Sequence, residues 1–139
     1  MANPSTTAKA IRDVMVAQKF KPSQKIEDFD SNDPGRLHKQ FFFRGPRLSA
    51  TTDVGGESHQ EWELDIQIAW APMGQGDVDM RRWELADAVA TLHNAMATNA
   101  TILADEFEFQ SSDPEWNEET DVWEVLMQVR FLTYQAVTP

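Results

Sequence analysis

"EWELDIQIAW", residues 61–70, decides how this chain folds. Trp62, Leu64, Ile66, Ile68 and Trp70 fall on one side of an extended backbone, and Glu61, Glu63, Asp65 and Gln67 fall on the other. Successive side chains of a strand point to opposite faces, so this alternation describes a strand with one face on a core. Two questions follow: what covers the apolar face, and what a row of acids does on the opposite one.

The chain has 139 residues, the size of one domain with one core. It carries 23 carboxylates against 12 Lys and Arg, a net charge of −11, which disfavours a protein that grips duplex phosphate. The charge is uneven: residues 1–47 sum to +4 and residues 48–139 to −15. Opposite charges of this kind can orient two copies of a chain against each other. No cysteine is present, so disulfide and thiol chemistry are absent. No apolar run approaches a membrane span, and "MANPSTTAKA" lacks the apolar centre of a signal peptide, so the expectation is a protein made and used in the cytoplasm without membrane contact.

Outward from the central strand, other elements take shape. Ser5, Thr6 or Thr7 can cap a first helix whose stripe is Ala8, Ile11, Val14, Met15 and Gln18, with Phe20 and Pro22 at its exit. "KIEDF" alternates weakly as a short strand, and "DSNDPGR", residues 30–36, is turn chemistry. "LHKQFFFRGPR" reads as a strand whose three rings cannot all face one core. "LSATTDVGGES", residues 48–58, reads as the mobile loop of a long hairpin leading into the central strand. After "APMGQGD", with Asp77 or Asp79 as a cap, Leu85, Ala86, Val89, Leu92, His93 and Met96 predict a helix to near residue 98. "TILADEFEF" and "DVWEVLMQVRFLTY" predict two closing strands joined by the polar tip "QSSDPEWNEET". In the last strand Trp123, Val125, Met127, Val129 and Phe131 share a face, and Leu126 and Leu132 interrupt the polar one. The expected architecture is α+β, an antiparallel sheet of four to five strands with two helices packed on one face, as a single domain over 1–139.

Catalytic and metal-binding patterns are missing from this reading. His38, His59 and His93 have no ligand spacing between them, and His93 on a helix stripe reads as a buried or edge histidine. The serines lie outside any nucleophile turn, and no glycine-rich loop opens a helix to cradle phosphate. Paired acids such as Glu106 and Glu108 read as solvated charge. The expectation is a protein that is not an enzyme and holds no cofactor or metal. The aromatic content is the unusual feature: five Trp and eight Phe, with six Met. Together with Leu126, Leu132, Tyr134 and the isolated Trp116, it predicts that a second face or edge of the sheet is covered by another subunit.

An amphipathic first helix, the extended "FKPSQKIEDF", a long hairpin, "LHNAMATNATIL" at the end of the second helix and a final strand pair follow in that order. This order resembles the tail terminator proteins of long-tailed bacteriophages, also called tail completion or minor tail proteins. The resemblance covers nearly the whole chain and rests on element order, length and acidic composition. It implies a structural virion protein, assembled in the host cytoplasm. In that family subunits form a ring, usually a hexamer, that caps the tail tube protein, stops its polymerisation and joins the tail to the head connector or stopper. DNA passes through the lumen without specific binding. Candidate contacts between subunits or with partners are Phe41, Phe42, Phe43, Arg44, Trp116, Leu126, Arg130 and Leu132, with the 48–58 loop ordering against tube or connector. Candidate acids for a phosphate-repelling lumen are Glu61, Glu63, Asp65, Asp113, Glu115, Glu118 and Glu119.

Three other readings stay open at this point. A neighbouring neck or connector subunit would share the same element order. A ligand-binding or enzymatic α+β domain could line a pocket with the tryptophans and His93, and an acidic mimic of DNA could occupy a DNA-binding partner.

Overall fold

In the computed structural model the described residues are 3–22, 38–71, 78–103, 105–118 and 122–136. The central segment is a strand as expected, and a second long strand lies beside it. The elements in chain order are helix α1 (Pro4–Ala17), β1 (Lys21–Pro22), β2 (Gln40–Val54), β3 (Glu57–Trp70), helix α2 (Val78–Ala97), the short helix α3 (Ala100–Leu103), β4 (Glu108–Ser111), β5 (Glu115–Asn117) and β6 (Val122–Ala136). The sheet runs β1-β2-β3-β6-β4, with β5 also paired to β6. The class is α+β as expected. The sheet, however, has six strands and is mixed, because β1 runs parallel to β2. The expectation of a purely antiparallel sheet with two helices is corrected on both counts: a two-residue parallel pairing leaves no periodic pattern to read, and α3 is a single turn.

The helices cover the face that the alternation marked. Leu64, Ile66 and Ile68 of β3 are fully buried, and their neighbours Val125, Met127, Val129 and Phe131 of β6 are buried with them. Ile11, Val14 and Met15 of α1 and Leu85, Leu92 and Met96 of α2 complete this cluster. The α2 stripe lies slightly rotated from expectation: Ala86 is exposed, Ala88 and Val89 pack on the core, and His93 takes an edge position with its ring 5.1 Å from that of Phe109.

Local chemistry sets the element ends. The first helix starts at Pro4, not at the expected hydroxyl cap; Pro suits a first turn because its missing N–H would have had no partner there. Thr6 and Thr7 instead donate their backbone N–H groups to the Asn3 carbonyl. At the other end Lys19 adopts φ 70°, Lys19 N–H bonds Val16 O and Phe20 N–H bonds Met15 O, the two bonds of a left-handed C-terminal closure. Lys39 Nζ donates to the Gln18 carbonyl at 2.9 Å and lies over the Phe20 ring. Residues 101–103, expected as strand, lie in the helical turn Ala100–Leu103 because Asn99 Oδ1 accepts from the N–H groups of Thr101 and Ile102. The "KIEDF" and "DSNDPGR" expectations lie outside the described residues.

Buried polar groups tie distant parts together. Thr7 donates its hydroxyl to Asp105 Oδ2, joining α1 to the turn before β4, and both residues are buried. His38 Nδ1 accepts from the Ala71 N–H at 3.0 Å and its ring meets Trp70 edge-on. Burial, with the nearby charges of Lys39, Lys21 and Arg81, pushes the His38 imidazole down to about 4.

Two predictions follow from these bonds. Thr7→Val leaves the Asp105 carboxylate without its donor, and a loss of about 1–3 kcal/mol is expected in urea unfolding; Thr7→Ser should keep most of it. Equal stability of the two variants would show that the hydroxyl contributes nothing. For His38, between its ordinary value of 6.5 and about 4 the unfolded chain takes up a proton that the folded chain refuses. Stability from this group is therefore present above 6.5 and lost as pH falls toward 4. His38→Gln keeps an acceptor for Ala71 without that titration, so its unfolding midpoint should fall less than the native one between pH 7 and 4.5. Parallel curves would remove His38 from the account.

Candidate functional site

The side chains of the sheet that point away from the helices form the candidate surface. Register places Phe42, Arg44 and Arg47 of β2 there, with Glu61, Glu63, Asp65 and Gln67 of β3, and Glu124, Leu126, Gln128, Arg130 and Leu132 of β6. Two register shifts in β2, between Arg44 and Arg47 and between Leu48 and Ala50, keep both arginines on this face. Gly45 sits between them at φ 100°, where an added Cβ would come within 2.9 Å of the Glu63 carbonyl oxygen, so glycine is required at this close approach.

Arg47 is the centre of this face. It donates from Nη1 to Asp65 Oδ2 at 2.9 Å and from Nη2 to Glu63 Oε2 at 2.7 Å. Arg130 Nε stands 3.2 Å from Glu63 Oε1, an ion pair that lacks the angle of a hydrogen bond. Gln128 donates to the second Asp65 oxygen at 3.1 Å. Burial alone would push the Asp65 carboxyl up; the hydrogen bonds from Arg47 and Gln128 and the charges of Arg47 and Arg44 outweigh it and hold the group below its ordinary 3.8. Glu63 and Asp65, two of the candidate lumen acids, thus have their charge answered within the subunit, Asp65 by Arg47 and Glu63 by Arg47 and Arg130. The signal was the hairpin itself, since "GPR" faces "ELD" across it, but the two register shifts conceal the pairing.

Other expected site residues divide in the same way. Phe41 is 2 % exposed in the main core and Phe43 packs against that core, so neither offers a free contact, and this expectation is corrected. Phe42 does face the other side, as one ring of the three had to, but it is buried with Ala69 and Val122 beneath the Arg44 guanidinium. Leu126 stands 43 % exposed and Leu132 half-buried on the arginine face. Trp116 is 48 % exposed with its ring edge-on to Trp123. Glu61 lies opposite Leu132, away from the arginine cluster's centre. Asp113, Glu115 and Glu118 are exposed along the β4-β5 margin, and Glu119 lies outside the described residues.

The 48–58 segment is not a loop, which corrects the expectation for it. β2 and β3 stay paired to Val54 and Glu57, and only Gly55 and Gly56 turn, both at positive φ. Two glycines are the residues a two-residue hairpin turn favours. Every residue from 47 to 57 is exposed. This arm continues as strand to the Gly55-Gly56 turn, and β6 accompanies it to that end, with Gln135 and Ala136 opposite Ser58 and Glu57. Val54 and Leu48, 55 % and 48 % exposed, are its large apolar side chains.

Among the described residues no three His, Asp or Glu groups converge as a metal site would need. No helix among them is long and apolar enough to cross a membrane. No protein-family model and no curated protein matches the chain.

Arg47→Met should raise the Asp65 carboxyl toward its ordinary 3.8, read by NMR titration of that side chain. The variant should be less stable at pH 7, and the gap should close as acid protonates Asp65, because a depressed carboxyl contributes stability only above its folded value. An unmoved Asp65 titration would mean that Arg47 does not hold it.

Proposed function

We propose that this chain is a ring-forming structural subunit of the phage tail terminator kind, not an enzyme, incorporated into the virion at the end of the tail. The observation that carries the reading is the arm from Leu48 to Glu57, which folds as paired strand although every one of its residues stays exposed. Ordering backbone costs about 1–2 kcal/mol per residue, and strands with no apolar face covered recover little of it in water. Such an arm recovers it fully when another surface covers it. In a terminator the tail tube protein and the head connector supply those surfaces.

A lumen that passes DNA needs a wall that phosphate does not adhere to. The sheet face opposite the helices suits that role, since its acids outnumber its arginines. Two of the arginines there, Arg47 and Arg130, are held by carboxylates of their own subunit. On this reading Glu61 and its neighbours repel the duplex, while Glu63 and Asp65 fix Arg47 in place.

Light scattering at micromolar concentration, with negative-stain imaging, tests the assembly. The expected result is a closed ring of about six subunits with a central hole, the heterologous closure such contacts generate. Open filaments or a closed twofold dimer would overturn the ring. Replacing residues 52–59 by Asn-Gly, which closes the hairpin on the paired Thr51 and Gln60, should leave folding and ring mass intact and abolish joining of tails to heads. Normal joining would remove the arm from the function.

A further inference from the structure

The two lateral margins of the sheet differ in charge and match in register. At one margin β1 pairs only with Gln40 and Phe41, so among the described residues no strand pairs with the outer edge of β2 beyond them. From residue 34 to residue 52 the chain contains no carboxylate, and Lys39, Arg44 and Arg47 lie along it, with Lys21 on β1. At the other margin β4 and β5 pair only with β6, and Ser112 continues their line by donating to the Leu126 carbonyl. From residue 83 to residue 129 the chain contains no Lys or Arg, and Glu106, Glu108, Asp113, Glu115 and Glu118 are all exposed.

Reading straight across the sheet, Arg47 pairs with Glu63, Glu63 with Arg130, and Arg130 with Glu108. Arg47 and Glu108 thus stand at the same height on opposite margins and on the same face. One step below the Phe41–Ile68–Val125 row, Lys21 pairs with Gln40 at one margin while Ala69 pairs with Glu124 and Glu124 with Glu115 at the other. Lys21 and Glu115 are level as well. The strand directions complete the match: β2, β3, β6 and β4 alternate, so a rotation about an axis parallel to the strands sets β4 of one copy antiparallel to β2 of the next.

The geometry points to head-to-tail docking of this chain with a second copy of itself, the Lys21–Arg47 margin of one subunit against the Glu108–Glu115 margin of the next. The inference rests on the ring reading and supplies its interface. Among the described residues no strand is paired to the outer edge of β2 beyond Phe42 or to the outer edges of β4 and β5, and strand edges dock through their N–H and C=O groups. The opposed charges orient it and exclude the like-charged pairings, basic on basic or acidic on acidic, that a twofold dimer through either margin would require. Arg47 is half exposed, with guanidinium donors to spare for a second carboxylate beyond Glu63 and Asp65. Docking also places Asp113, Glu115 and Glu118 at the subunit boundary and takes them out of the lumen set.

Two variants test this, each checked for folding by circular dichroism. Glu108→Lys with Glu115→Lys reverses the charge at two positions of the acidic margin; Lys21→Glu with Arg44→Glu reverses it at two positions of the basic one. The native chain should associate at low salt and lose its higher-mass species as salt rises past a Debye length of about 8–10 Å. Each variant alone should lose that species, and an equimolar mixture should regain it with the two chains alternating, as seen by mass spectrometry of the complex. Variants that associate as well as the native chain, or a mixture that regains nothing, would overturn the docking. A native chain that stays monomeric at low salt would overturn it too. Rings unaffected by the variants would leave the ring reading standing without this interface. Margin-dependent filaments would keep the interface and remove the ring.

Discussion

The pairing of β3 with β6 is the constraint on which everything else in this molecule depends. It runs unbroken from Glu57 opposite Ala136 to Trp70 opposite Trp123. Because side chains alternate, that one register decides two surfaces together. It sets Leu64, Ile66 and Ile68 beside Val125, Met127 and Val129 to make the floor on which the helices lie. It also sets Glu63 beside Arg130 and Asp65 beside Gln128 on the reverse. A slip of β6 by one residue would turn that strand over, exposing Val125, Met127 and Val129 and burying Gln128 and Arg130. Truncating any one of the fully buried residues of this floor would cost about 2–5 kcal/mol by the usual core cost, a large share of a domain's stability.

What could be read in the sequence was what burial writes there. Where a helix lies on a strand, alternation is strong, and β3 and β6 were legible residue by residue. Where nothing lies on a strand, burial imposes no alternation, and "LSATTDV" looked like a loop although its Thr and Val favour extended backbone. The Gly-Gly turn was visible and was placed within a loop instead of being taken as the loop's whole extent. Single hydrogen bonds leave no pattern either: Asn99 makes a helical turn out of a segment whose pattern predicts strand, and Thr7, one of three hydroxyls able to cap the first helix, donates to Asp105 instead. The candidate surface was half legible. Its acids were plain, but the arginines that answer them come from a strand whose register shifts twice.

The electrostatics of the sheet are therefore more ordered than the net charge implies. Within a subunit, arginines from β2 and β6 converge on the acids of β3, so the middle of the face is internally compensated. The surplus is displaced sideways, positive toward β1 and β2 and negative toward β4 and β5. Compensation at the centre with surplus at the margins suits a part whose neighbours of its own kind stand left and right, and whose face is passed by something it must not hold.

The order in which the sheet is assembled differs from the order in which it is synthesised. β2 and β3 leave the ribosome as a finished hairpin, but the other edge of β3 waits for β6, more than fifty residues later in the chain. Meanwhile α1 has no finished floor, and Thr7 has no Asp105 until the second helix has also emerged. Loop closure over such separations is slow relative to helix or hairpin formation. A nascent chain of this design therefore carries the apolar row of Leu64, Ile66 and Ile68 without its β6 partner through the second half of its synthesis, which puts its hazard of aggregation before folding, not after it.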